Sequence, residues 1–155
     1  MAAEPTYEQA KLHLKLYDLR REPRLREARD WYFKNFHPQT PEDALRIAGP
    51  GTPGGTFAMM VLSYWEQACS MLNHGLLHED LFFENSGEFF GVWEAVKPVI
   101  GKWREMFVNP LFLANLEKTA IRFESWSEKR TPGHLAAMRQ MMKQMAEQQK
   151  QGKAA

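Results

Sequence analysis

The chain has 155 residues, of which 44% are apolar and 25% charged, and a formal net charge of +1. That length supports one domain with its own core, five Trp and ten Phe exclude a disordered chain, and the near-neutral charge gives no global field to draw nucleic acid or an acidic membrane. The single cysteine, Cys69, excludes an intrachain disulfide and any multi-cysteine zinc site and fits a reducing compartment.

The opening MAAEPTYEQ has neither the basic segment nor the apolar core of a secretory leader. The longest apolar run, FAMMVL, falls far short of the roughly 18 residues of a spanning helix. A soluble, cytoplasmic protein is the expectation.

In chain order, the first segment follows Pro5-Thr6, with Tyr7, Ala10, Leu14 and Tyr17 on one helical face. The stretch LHLKLYDL also alternates as a strand does, but its Leu, Lys and absence of β-branched residues favour helix. Pro23 suits a first helical position, and Leu25, Ala28, Tyr32 and Phe36 form the next stripe, stopped by His37-Pro38. TPEDALRIAG is a compact unit: Thr40 caps, Pro41 opens, Glu42 and Asp43 suit the positive end, and Gly49 closes.

A glycine-rich connector leads to the most apolar helix, about 56–74. Its polar residues Ser63, Glu66, Gln67, Ser70, Asn73 and His74 share one narrow stripe, so the helix belongs near the centre of a bundle. LLHEDLFFEN holds a short turn or helix. From about 86 to 107 the phase Phe89, Val92, Trp93, Val96, Val99, Ile100, Trp103, Met106 and Phe107 runs unbroken through Pro98, which reads as one helix kinked at the proline. Asn109-Pro110 starts a helix whose buried stripe is Phe112, Leu113, Leu116, Ala120, Phe123 and Trp126. Thr131-Pro132 introduces a last, methionine-rich helix.

The pattern therefore predicts an all-α, single-domain bundle of six to eight helices. Residues 4–128 make the bundle, 131–150 the methionine-rich helix, and 151–155 a frayed tail.

Two stretches carry a resemblance. LYDLRREPRLREARDWYFKNF is an arginine-rich helix with an aromatic end. FAMMVLSYWEQACSMLNHGLLHED is a long apolar helix with its exit, followed by a W-x-x-x-x-P-x-I-x-x-x-R pattern on Trp93, Pro98, Ile100 and Arg104. Together they resemble a family of small bacterial helical proteins that constitutes a domain of unknown function. The likeness spans roughly Leu16 to Phe123 and leaves out the GPGTPGG connector and the methionine-rich tail. It implies an all-helical fold and no activity.

The candidate chemistry is sparse. GPGTPGGT, residues 49–56, nearly matches a phosphate-binding loop, with Gly55 in place of the lysine. A helix precedes it instead of a strand, and Pro50 and Pro53 remove amides that a phosphate cradle needs. The loop therefore reads as a hinge, nucleotide binding is not supported, and what remains is a helix N-terminus near Thr56 open to an anion. His74 and His78 have metal-ligand spacing, but Gly75 interrupts the helix between them, and neither H-E-x-x-H nor a Glu-x-x-His pair occurs. No metal site and no cofactor is expected. No G-x-S-x-G is present, and Cys69 falls on an apolar face, so no catalytic residue is nominated.

Arg20, Arg21, Arg24, Arg26 and Arg29 interleave with Asp18, Glu22, Glu27 and Asp30, the pattern of a solvated face laced with ion pairs. Nucleic-acid binding there is the weakest of the readings kept. If the kinked helix crosses the polar stripe, Glu66 meets Arg104 in a pair that fixes register or, with Gln67, lines a small-molecule pocket. Leu135, Met138, Met142 and Met145 make a seam too short for a stable coiled coil alone, so they pack on their own bundle or on a second chain. The leading expectation is a non-enzymatic interaction or scaffold protein with a protein partner or a second copy, and the alternative is a ligand binder or enzyme built at Glu66, Gln67 and Arg104.

Overall fold

The computed structural model describes residues 4–154, and among them every regular element is α-helical. The order is α1 (Tyr7–Arg20), α2 (Pro23–Asn35), α3 (Pro41–Ala48), α4 (Pro53–Asn73), α5 (Glu79–Asn85), α6 (Glu88–Val96), α7 (Ile100–Met106), α8 (Ala114–Arg130) and α9 (His134–Ala154). Helix α4 runs through the middle and packs on α2, α3, α6 and α8, while α9 lies against α8.

The nine helices among the described residues exceed the six to eight expected, because LLHEDLFFEN forms its own short helix and Pro98 does more than kink. The chain from 86 to 107 is two helices, α6 and α7, separated by a turn over 97–99. Proline has no N–H to donate and its ring crowds the carbonyl four residues back. Beyond it the ladder tightens to an i→i+3 bond, Val99 N–H donating to Val96 O at 3.0 Å. One tight turn preserves phase, which is why Val96, Val99, Ile100 and Trp103 are all buried despite the break.

Local signals hold well in α2 and α3. Leu25, Ala28, Tyr32 and Phe36 are buried as one stripe, and the Tyr32 hydroxyl donates to Val92 O at 2.9 Å, so the buried polar atom is satisfied. Thr40 caps α3 by accepting from Asp43 N–H. In α1 the capping box of Thr6 and Gln9 forms, but the stripe is out of phase. Tyr7 and Leu14 are 73% and 63% exposed and Tyr17 is exposed too, while Leu16 is the buried residue and Gln9, Leu12, His13 and Arg20 turn partly inward. Apolar residues are scattered round this helix, so period alone does not choose its inner face. At the other end, α9 runs to Ala154, and residue 155 lies outside the described residues.

The glycine-rich stretch is folded into the α3–α4 corner. Helix α4 begins at Pro53, earlier than the expected 56, and Thr52 caps it by accepting from Gly55 N–H at 3.0 Å. Thr56 N–H donates within the helix to Thr52 O, so no open N-terminus lies at Thr56. The glycines permit close approach. A Cβ on Gly55 would sit 2.2 Å from Gly49 O, and one on Gly54 would sit 2.5 Å from Ile47 O and 2.7 Å from the Trp31 ring. Gly101, in α7, faces open space. Gly55→Ala is therefore expected to destabilise the fold by about 2–3 kcal/mol through overpacking, and Gly101→Ala to stabilise it by roughly 0.5–1 kcal/mol through helix propensity. Urea unfolding midpoints measure both, and equal effects at the two sites would contradict this account of the corner.

Candidate functional site

Helix α8, not α7, meets the polar edge of α4 at Glu66 and Asn73, while Ser63, Gln67 and His74 of that edge stay exposed. Helix α8 has no capping side chain of its own, since its N-cap position is Leu113 in the left-handed region at φ 58°. Glu66 supplies the cap from across the interface. Its carboxylate accepts from Asn115 N–H at 3.1 Å, Leu116 N–H at 2.8 Å and the Asn115 side chain at 2.9 Å. A carboxylate at a helix N-terminus satisfies orphan donors and meets the positive end of the dipole. The seam continues along both helices. Asn73 donates to Asn115 Oδ1 at 2.9 Å and accepts from Arg122 at 2.6 Å and from the Thr119 hydroxyl at 3.3 Å.

Arg104 reaches the same helix by a separate route, donating to Phe112 O at 2.9 Å and to Glu117 at 2.7 Å. Glu66 and Arg104 thus both hold the exit of the segment 107–113 and the start of α8, without pairing with each other. Within that segment Val108 and Leu113 have φ of 51° and 58°, a conformation costly for residues with a Cβ and sustained only by surrounding structure.

This braced segment borders an apolar cleft of about 520 Å³, walled by Leu45 of α3, Met59 and Met60 of α4, and Trp103, Met106 and Phe107 near α7. A second hollow of about 510 Å³ shares Met59 and Ser63 and continues past Glu66 and Gln67 to Leu111 and Phe112. Large apolar side chains stand open along this strip: Val108 is 88% exposed and Leu111 73%, with Leu45, Met59, Met106 and Phe107 also exposed. Trp103, 3% exposed, holds the one buried side-chain polar atom without a hydrogen-bond partner among the described residues, its Nε1–H. No charged side chain lines the 520 Å³ cleft.

The other nominated residues fall elsewhere. Gln67 is exposed on the rim of the second hollow. Leu135 is buried and Met138 packs on the same core, Met142 is half-buried with its Cε 3.9 Å from where a Cβ on Gly91 would sit, and Met145 is exposed. His74 Nδ1 lies 2.8 Å from Ser70 O at the end of α4, and His78 caps α5 by accepting from Leu81 N–H. No group of three or more metal-ligating side chains forms among the described residues. Cys69 is fully buried, and burial pushes its thiol up to about 12. The arginine face is only partly a solvated one. Arg24 pairs with Glu27 at the surface, but Arg29 is half-buried and grips Glu88 at 2.5 and 2.7 Å, with Trp65 Nε1–H also donating to that carboxylate.

Fold and site together define an all-helical bundle whose open features are apolar surface. The chain belongs to the family described as Domain of unknown function (DUF4760), which matches residues 5–123. The match opens before Leu16 and takes in the glycine-rich corner, and it ends inside α8, so α9 lies beyond it. No curated protein and no solved structure matches the chain. None of the described helices is long and apolar enough to cross a membrane.

The sequence pattern points to Glu66 and pairs it with Arg104 only if the 86–107 stretch crosses its stripe; α8 meets Glu66 instead, and Arg104 bonds Glu117. The apolar strip escapes that pattern, because Val108 and Leu111 sit where helical periodicity has lapsed, and only the run Met106-Phe107-Val108 before Asn109-Pro110 hints at it. Glu66→Ala removes a charged acceptor from two backbone amides and is expected to cost about 2–3 kcal/mol. Urea unfolding measures it, and a loss no larger than that of an exposed surface substitution would contradict the capping role.

Proposed function

We propose that this chain is a non-enzymatic protein-interaction module that receives a protein partner along the cleft beside α4 and the 107–113 segment. The observation that carries the reading is the exposed Leu45, Met59, Met106 and Phe107 around one apolar hollow, with exposed Leu111 on the adjoining hollow and Val108 exposed between them in sequence. Contiguous exposed apolar surface is costly in water and marks contact sites, and methionine adapts its shape to a partner. The two left-handed residues in the same segment add weight, because strain of this kind concentrates where a chain is held for binding.

Self-association through the exposed Met141 and Met145 edge of α9 is the competing surface. The two are separated by crosslinking and affinity capture from the native host with wild type, a Met59→Glu/Leu111→Glu double variant, and Met145→Glu. All the substituted side chains are exposed, so melting temperatures should stay within a few degrees of wild type. The proteins retained by wild type should be lost from the double variant and kept by Met145→Glu. The reverse pattern, or an unchanged set with the double variant, overturns the reading.

A further inference from the structure

A third cavity, of about 440 Å³, opens between α1 and the α4–α5 layer, on walls that include Leu16, Trp65 and Phe82. Among its polar lining residues Tyr64, Trp65 and Asn85 are already hydrogen-bonded, whereas the side chains of Arg20, His13 and Ser86 have no hydrogen bond among the described residues. Arg20, the last residue of α1, lays its guanidinium over the Tyr17 and Trp65 rings, 5.2 and 5.8 Å from their centroids. The other half-buried arginines each hold a carboxylate: Arg29 with Glu88, Arg104 with Glu117, Arg122 with Glu79 and Arg139 with Glu94. The guanidinium of Arg20 has neither an ion pair nor a hydrogen bond among the described residues. Glu88, which bonds the Trp65 indole, is already held by Arg29 as well.

Ser86, in the turn between α5 and α6, also lines the cavity. The residue is 8% exposed, and its hydroxyl, which has no partner among the described residues, is accessible and not sealed in the core. His13 stands edge-on to Phe82 with ring centroids 6.3 Å apart and adds two more ring nitrogens without hydrogen-bond partners. Burial, and then the charge of Arg20, lowers the His13 pKa, so the ring is neutral near pH 7. A cation withdrawn from water without a counter-charge is costly, and with its faces on two rings the guanidinium keeps its N–H edge for a planar two-oxygen anion.

We propose that this cavity binds a small amphipathic anion, a carboxylate on a flat or chain-like apolar body. Arg20 and Ser86 take the carboxylate, and Leu16, Trp65 and Phe82 enclose the body. A mostly apolar cavity with a few convergent polar groups is the usual form of a small-molecule site. The site is formed by α1, α4 and α5 together with the turn at Ser86, and it is separate from the cleft walled by Met59 and Met106.

The test is a titration of the full chain with 2-naphthoate and with decanoate, followed by calorimetry and by amide and indole NMR. At least one carboxylate should bind, with the largest shifts at the Trp65 indole and the Ser86 amide. Arg20→Gln should weaken it by about tenfold or more, as expected for loss of a charged hydrogen bond, and Ser86→Ala by a few-fold. Methyl 2-naphthoate, which lacks the charge, should bind wild type and Arg20→Gln alike. Met59→Glu should leave carboxylate binding unchanged, so failure of the docking cleft and failure of this site are read separately. The proposal is overturned if neither carboxylate binds at millimolar concentration, if Arg20→Gln and Ser86→Ala both bind as wild type does, or if the shifts gather around Met59 and Met106. Should Arg20→Gln not fold, Ser86→Ala alone carries the comparison.

Discussion

The carboxylate of Glu66 at the start of α8 is the contact on which the arrangement depends. Helix α4 is apolar over most of its circumference and must be covered on nearly every side. Its one polar edge would oppose that burial if it met only apolar side chains, since an unpaired buried polar group costs more than a hydrogen bond returns. Helix α8 resolves the conflict because it needs an external cap and α4 has one to give. With Glu66 on the first turn of α8 and Asn73 on Asn115, Thr119 and Arg122, the two helices are fixed in register. The position of α8 then sets where Phe123 and Trp126 meet Phe83 in the aromatic core, and where Glu117 holds Arg104.

The proposed interaction surface is a consequence of that register. The chain must pass from α7 to a helix whose first turn is pinned to Glu66, and it does so through two left-handed residues and an unburied Val108 and Leu111. The connection leaves one side of α4, around Met59 and Ser63, uncovered. The proposed anion cavity arises at the opposite level of organisation. Helix α1 offers the core little beyond Leu16, and its other links include the Tyr64 hydroxyl donating to Leu16 O at 2.5 Å and the Gln9 side chain donating to Gly75 O at 3.3 Å. A helix laid across the bundle so thinly leaves space beneath it.

How much of this the sequence reveals follows from what periodicity measures. Caps and single clean stripes are local, so α2 and α3 are legible to the residue. Phase continuity is also local and survives a one-turn break, so the pattern through Pro98 cannot distinguish a kinked helix from α6 and α7. The partner of Glu66 depends on which helix crosses α4, a fact of tertiary packing, and Arg104 follows only if the 86–107 stretch makes that crossing. In α1 the exposed Tyr7, Leu14 and Tyr17 make the more hydrophobic stripe, yet the helix turns Gln9, His13 and Arg20 inward. The residues of the proposed anion site therefore sit on a face that looks like solvent from sequence.

Hydrogen exchange at the amides of Asn115 and Leu116 tests the central claim most directly. First-turn amides of a helix without a cap exchange through fraying, far faster than global unfolding allows. With Glu66 holding them, both amides should be protected nearly as strongly as the middle of α4, at Val61 and Ala68. Exchange at the rate of an unprotected first turn would contradict the account, because α8 would then be placed by something other than the Glu66 cap.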